Sequence, residues 1–144
     1  APDAPQAAHL ARLALADLVL DTLPYNAHTT ASDAVWVGVP LVTCAGDTFA
    51  ARVAGSVLHA VGLPELVTHS LEDYEALALA LASDPERLAA LRARLAGLRD
   101  GAPLFDVPTY TRQLEQLFEA MWQRHLAGLP PAALGSASRA GTTL

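Results

Sequence analysis

The residues best suited to chemistry lie in one run, Leu20-Asp21-Thr22-Leu23-Pro24-Tyr25-Asn26-Ala27-His28-Thr29-Thr30-Ala31-Ser32-Asp33. His28, Thr29 and Thr30 put an imidazole and two hydroxyls where a turn passes into a helical stretch. The first turn of a helix has backbone N–H groups without intrahelical partners and the positive end of the macrodipole. Such a position attracts an anion, and a diphosphate fits it well. Asp33, one turn further, is able to accept hydrogen bonds from a ribose diol. No glycine-rich phosphate loop accompanies the turn, and a second reading needs no ligand at all. Thr30 and Asp33 also have capping-box spacing, and His28 suits an ordinary capping or surface histidine. His9, alone on an Ala/Leu-rich stretch, reads as structural or solvent-facing, and Cys44 as a small core residue.

These residues need elements to hold them. Residues 5 to 15 favour a helix, and Asp17-Leu18-Val19-Leu20-Asp21 reads as a short apolar strand. Leu23-Pro24-Tyr25-Asn26 breaks regular structure before a helix that runs from His28 through Trp36 and ends at Gly38 and Pro40. Leu41-Val42-Thr43-Cys44 is apolar and β-branched enough for a buried strand. Gly46-Asp47-Thr48 then turns the chain into a helix with Phe49, Val53, Val57 and Ala60 on one face. A short strand is expected at Leu66-Val67. Ser70 and Asp73 have the spacing of a capping box ahead of an inward stripe of Tyr74, Leu77 and Leu81. Asp84-Pro85-Glu86 opens a helix carrying Leu88, Leu91, Leu95 and Leu98. The last helix starts near Pro108 and is expected to bury Tyr110, Leu114, Leu117 and Met121, with Phe118 and Trp122 widening its apolar face. Residues 129–144 are small, polar and Pro-containing and read as a disordered tail.

Helix, strand, helix, strand, helix and then mainly helices is the order of an open α/β sheet with parallel strands. Only two or three strands are visible, fewer than a sheet covered on both faces usually has, so further strands are expected upstream of Ala1. The chain begins Ala-Pro-Asp and its one methionine is Met121, which agrees with a start inside a longer protein.

Composition narrows the function classes. At 144 residues, with 52% hydrophobic and 17% charged side chains, the chain is globular, and no apolar run is long enough to span a membrane. A net charge of -6, with nine arginines and no lysine, argues against a nucleic-acid partner. The single cysteine offers neither an internal disulfide nor a thiolate zinc site. No metal or other cofactor is expected, and a reducing, cytoplasmic setting fits.

The run LDTLPYNAHTTASDAVWVGVPLVTCAGDTFAARVAGS, continued by Pro103-Leu104-Phe105 and the Tyr110-to-Trp122 stretch, closely resembles the C-terminal catalytic lobe of the protein O-GlcNAc transferase and Spindly-like family. The likeness covers about residues 5 to 128. It implies an α/β fold: residues 1–128 form the C-terminal part of a Rossmann-like lobe of a GT-B glycosyltransferase, with a helical C-terminal portion and upstream strands missing. It implies inverting transfer of N-acetylglucosamine from UDP-GlcNAc to Ser or Thr of a protein or peptide acceptor. Some relatives transfer fucose from a GDP donor. The expected partners are the nucleotide sugar, the acceptor and an N-terminal catalytic lobe of the same chain, with tetratricopeptide repeats in the parent protein.

Residue by residue, the resemblance matches His28, Thr29 and Thr30 to the family's pyrophosphate turn, Asp33 to its ribose-binding acid, and His9 to a histidine near the donor nucleotide. Gln6 stands where the family has a lysine beside the uracil. The lysine that stabilises the leaving diphosphate lies upstream in the family, so no catalytic acid or base is expected in this segment, and the segment alone is expected to be inactive. A UDP-sugar epimerase with a similar lobe would explain the His-Thr-Thr turn but not the likeness beyond it. A helical repeat scaffold would need a fixed-length repeat, and none is found.

Overall fold

A computed structural model describes residues 4–135 of the chain. Its elements follow in the order α1 (Gln6–Leu13), β1 (Val19–Leu20), α2 (Thr29–Trp36), β2 (Leu41–Cys44), α3 (Val53–Ala60), β3 (Val67–Thr68), α4 (Leu71–Ala82), α5 (Pro85–Leu98) and α6 (Val107–Leu126). Short 3-10 turns at Pro64–Leu66 and Pro103–Phe105 precede β3 and α6. The chain divides into two compact units, one ending at Phe105 and one beginning at Asp106.

In the first unit the three strands form one parallel sheet in the order β1-β2-β3, with Val19 opposite Leu41 and Thr43 opposite Val67. Parallel neighbours cannot be joined by a hairpin, so α2 and α3 make the two crossovers. All four residues of β2 are buried, and α2, α3 and α4 all pack on the strand. That explains an unbroken apolar run in place of alternation. Around β2 lies one core containing Val35, Leu41, Val42, Leu58, Leu63, Leu66, Leu81 and Leu95.

Local signals set the element ends. Gly38, at φ +79°, takes the left-handed conformation that stops α2, a position where a Cβ would strain the backbone. Ser70 caps α4, its hydroxyl oxygen accepting from Asp73 N at 3.0 Å while its proton goes to Asp73 Oδ2 at 2.7 Å. The acid thus bonds the capping hydroxyl itself. Asp84 caps α5 by accepting from Arg87 N at 2.9 Å, with Pro85 at the first helical position. Leu81, Leu91 and Leu95 are buried as their spacing requires, and Tyr74 and Leu77 pack against the core.

Several expectations need correction. The helix expected over residues 5 to 15 ends at Leu13, because Arg92 from α5 donates to the carbonyls of Ala14, Ala16 and Asp17, which frees them from a further helical turn. The expected five-residue first strand is regular only at Val19–Leu20, and Leu20 is 55% exposed. Among the described residues β1 has a neighbour on one edge only, so half of its ladder is unpaired. Phe49 does not extend the α3 stripe; it precedes the helix and is 77% exposed, while Ala54, Val57 and Leu58 supply the buried face. The third strand is Val67–Thr68, one residue later than expected, because Pro64 starts a 3-10 turn that takes in Leu66.

The second unit consists chiefly of α6. Asp106 caps it by accepting from Thr109 N at 3.0 Å, and the Thr109 side chain first, then that backbone contact, hold the Asp106 carboxyl below the usual carboxylate range. The expected burial of Tyr110, Leu114, Leu117 and Met121 is not observed: α6 has no buried residue, and Tyr110, Phe118, Met121 and Trp122 are all at least half exposed. A single helix provides no second surface within its own unit to cover such a stripe. Residues 129–135 carry no regular element, and the rest of the expected tail lies outside the described residues.

The core and cap contributions separate by size. Leu58→Ala empties a fully buried site and should cost about 2–5 kcal/mol, whereas Ser70→Ala should cost about 1 kcal/mol. Urea unfolding of the intact protein, followed by tryptophan fluorescence, checks both and their order.

Candidate functional site

The site is built where β1 ends. Asp21, 6% exposed, follows the strand directly, and its backbone N–H continues the ladder to Val42 O at 3.0 Å. Its carboxyl Oδ1 accepts from Thr22 N at 2.8 Å and Ala27 N at 2.6 Å, and its Oδ2 accepts from the Thr43 hydroxyl at 2.5 Å. One side chain therefore ties both ends of the 22–27 loop to the neighbouring strand. Inside the loop the Thr22 hydroxyl donates to Tyr25 O at 2.7 Å, Asn26 Nδ2 donates to Thr22 O at 3.1 Å, and the Leu23-Pro24 bond is cis. Asn26 is buried, and its N–H reaches across to Ala50 O at 3.0 Å in the loop after β2. Asn26 Oδ1 is buried without a hydrogen-bond partner.

The loop delivers the chain to α2 with His28 at the N-cap, at φ -106° and ψ -91°. His28 O accepts from Ala31 N at 3.1 Å and Ser32 N at 3.2 Å, which are the first intrahelical bonds. The Thr29 and Thr30 amides come before them, at the end of the helix where donors are free to meet an anion. No side chain caps α2. Thr30 is the second residue of the helix rather than its cap, so the capping reading of Thr30 and Asp33 does not hold. The helix starts two residues too early for that box to form.

Aromatic packing fixes the His28 ring. Tyr25 stacks on it with centroids 4.7 Å apart and planes 20° apart, and Phe49 meets it edge-on at 6.2 Å. Nε2 of His28 lies 3.5 Å from Ala50 O. On the same helix Asp33 meets His9 from α1, Oδ2 to Nε2 at 3.4 Å, and the Arg12 guanidinium lies 3.3 Å from His9 Nδ1. Both partners of the His9–Asp33 pair are partly exposed, so the contact contributes little stability and leaves both groups accessible.

All five residues singled out by sequence thus fall on or beside the first half of α2. His28, Thr29 and Thr30 are consecutive at the start of the helix, and Asp33 and His9 touch. The residues that hold this surface were not singled out: Asp21, Asn26, Thr43, Phe49, Arg12 and the Ala50 carbonyl. Two faint signals were present. Asp21 is an acid at the end of an apolar strand, and Thr43 is a hydroxyl inside one. Tyr74, read as part of an apolar stripe, also serves here, since its hydroxyl donates to Asp21 O at 2.9 Å.

Comparison with known proteins settles the lineage. The model of glycosyl transferase family 41 matches residues 1–114. The chain belongs to glycosyl transferase family 41. It is 42% identical over 122 residues to a Caenorhabditis elegans UDP-N-acetylglucosamine--peptide N-acetylglucosaminyltransferase, with 85% of this chain and 11% of that protein covered. A probable transferase of the same description, SEC from Arabidopsis thaliana, is 41% identical over 124 residues, covering 85% of this chain and 13% of the relative. Among solved structures, a mutant O-GlcNAc transferase of Thermobaculum terrenum superposes with a TM-score of 0.79 at 38% identity, over 83% of this chain and 23% of that one. The family 41 chain described here therefore spans about a tenth to a quarter of the length of these proteins. Its parallel sheet with flanking helices is a Rossmann-like part of the GT-B arrangement. Among the described residues no helix is long and apolar enough to cross a membrane.

Tyr74 gives the site a pH signature. Burial first, then the neighbouring Asp21 and Cys44, raise its hydroxyl pKa above the ordinary value of 10.0. The folded protein keeps a proton that the unfolded chain releases, so the stabilisation is fully present below about pH 10 and is lost as pH rises through the raised folded value. Thermal melts of wild type and Tyr74→Phe between about pH 8 and 11 should show a constant gap at the low end that shrinks at the high end.

Proposed function

We propose that this chain is the donor-binding portion of an inverting glycosyltransferase that moves N-acetylglucosamine from UDP-GlcNAc to Ser or Thr of a protein or peptide acceptor. The observation that carries the reading is the start of α2, where no side chain caps the helix and His28, Thr29 and Thr30 stand at its first positions, after a strand of a parallel sheet. Open α/β sheets bind phosphorylated ligands outside the carboxyl ends of their strands, and this turn lies there. The names of the similar C. elegans and A. thaliana proteins support the donor and acceptor classes.

In this reading the diphosphate sits against the Thr29 and Thr30 amides and hydroxyls, with His28 held beside it by Tyr25. Asp33 and His9 take the nucleoside side, Asp33 accepting from the ribose hydroxyls. As the bond to the sugar breaks, negative charge grows on the departing UDP, and donors already aligned stabilise it without reorganising. The chain has no lysine, so a lysine that stabilises the leaving group has to come from outside this segment. A metal ion is not required, because neutral donors, the helix dipole and that external charge meet the diphosphate. The other lobe supplies acceptor activation, and the exposed Tyr110, Phe118 and Trp122 of α6 suit packing against that N-terminal catalytic lobe. We place the parent enzyme in the cytoplasm, with tetratricopeptide repeats ahead of its catalytic region.

Calorimetric titration of UDP and GDP into the full-length protein and its variants tests the assignment. His28→Ala should weaken UDP binding about 10- to 100-fold, the worth of one hydrogen bond to a charged group. Asp33→Asn should weaken it with little change in melting temperature. Thr30→Ala, which removes no cap, should lower affinity and leave stability nearly unchanged. UDP binding like that of wild type in both His28→Ala and Asp33→Asn would refute the donor site, and preferential GDP binding would move the donor to a guanosine nucleotide sugar.

A further inference from the structure

The reading above gives Asp21 no role, yet Asp21 is the most connected polar side chain near the turn. It is buried, it never reaches the surface where a ligand would sit, and each of its contacts is to a donor. The donors come from three places: the Thr22 amide at the start of the loop, the Ala27 amide directly before His28, and the Thr43 hydroxyl on β2. Behind them, Thr68 on β3 donates its hydroxyl to Thr43 O at 3.0 Å, and Tyr74 on α4 donates to Asp21 O. A chain of hydrogen bonds thus runs from β3 and α4 through β2 to the peptide that sets the direction of His28.

We infer that Asp21 is a positioning residue for the diphosphate turn: its carboxyl group, anchored to Thr43, grips the Ala27 amide and so aims the His28, Thr29 and Thr30 donors. The inference rests on the donor-site reading. Asp21 Oδ1 serves the Thr22 and Ala27 amides and its Oδ2 the Thr43 hydroxyl. An amide in the same place keeps an oxygen for the two backbone N–H groups, but its NH2 group turns the third contact round to donate to the Thr43 hydroxyl oxygen, and the negative charge that strengthens all three bonds is lost. The alternative is a purely structural acid whose loss loosens the whole unit. The two differ in what they do to ligand recognition. Loss of aim affects the diphosphate alone, because Asp33 and His9 are held by α1 and α2 and not by the 22–27 loop. General loosening affects nucleoside and diphosphate together.

The test compares UDP with uridine on the full-length protein, uridine being measured by competition. Asp21→Asn should bind UDP about tenfold more weakly and uridine as wild type does. Thr43→Val, a milder break of the same connection, should shift UDP in the same direction by a smaller factor. Asp84→Ala removes the cap of α5, which has no part in this chain of hydrogen bonds, and should lower the melting temperature while leaving UDP affinity unchanged. If Asp21→Asn does not fold, Thr43→Val decides by the same comparison. Wild-type protein that fails to bind UDP would remove the donor-site reading and this inference with it. Wild type that binds UDP, with the variants either unaltered or weakened equally for UDP and uridine, would overturn the inference and leave the donor site standing.

Discussion

The parallel pairing of β1 with β2 is the constraint from which the site follows. Strands that run the same way need a crossover, and the helix that makes it here must start near the carboxyl end of β1. That places the N-terminus of α2, with its unpartnered amides, at the edge of the sheet where anionic ligands bind. The same pairing brings Asp21, one residue past β1, within reach of Thr43 on β2, so the register that builds the sheet also anchors the loop. A slip of one residue would turn Thr43 to the opposite face and leave a buried carboxyl group without its third donor.

Energetically the site depends on a core that it does not belong to. β2 is buried on both faces, and the aliphatic residues around it supply the burial that offsets the cost of ordering an eight-residue loop and turn. The polar groups taken into that core are Asp21, Asn26, Thr43 and Thr68, and each lies on the path from the sheet to the loop. Asn26 Oδ1 is the one atom among them left without a donor. A cost is therefore accepted at the turn, where shape matters more than complete satisfaction.

The residues proposed to face the ligand differ from their supports in this respect. Thr29 and Thr30 are exposed, and His9, His28 and Asp33 are half-buried. They make weak contacts with the protein, such as the 3.4 Å His9–Asp33 approach, and keep hydrogen-bonding capacity for a partner. On the donor-site proposal, stability resides in one set of side chains and recognition in another, joined by the backbone from Asp21 to His28.

The sequence by itself determined much of this. The alternation of elements gave an α/β reading, the apolar run Leu41–Cys44 marked the central strand, and Ser70, Asp84 and Gly38 marked helix ends through local hydrogen bonding and φ preference. The His28-Thr29-Thr30 turn and Asp33 stood out because their residue types and their place after a strand suit an anion and a ribose diol, and the family resemblance added His9. Tertiary structure decided what depends on partners distant along the chain. Whether Thr30 caps α2 turned on where that helix begins, which is at Thr29 with His28 at the N-cap. Asp21 bonds Thr43 across 22 residues and Tyr74 across 53, so no local pattern reveals its role. Phe49 had helical spacing with α3 yet stands outside the helix, and the α6 stripe has apolar periodicity yet no surface in its own unit to bury it. Periodicity reports which face is apolar, whereas burial also requires a second surface, and only the folded chain shows where one exists.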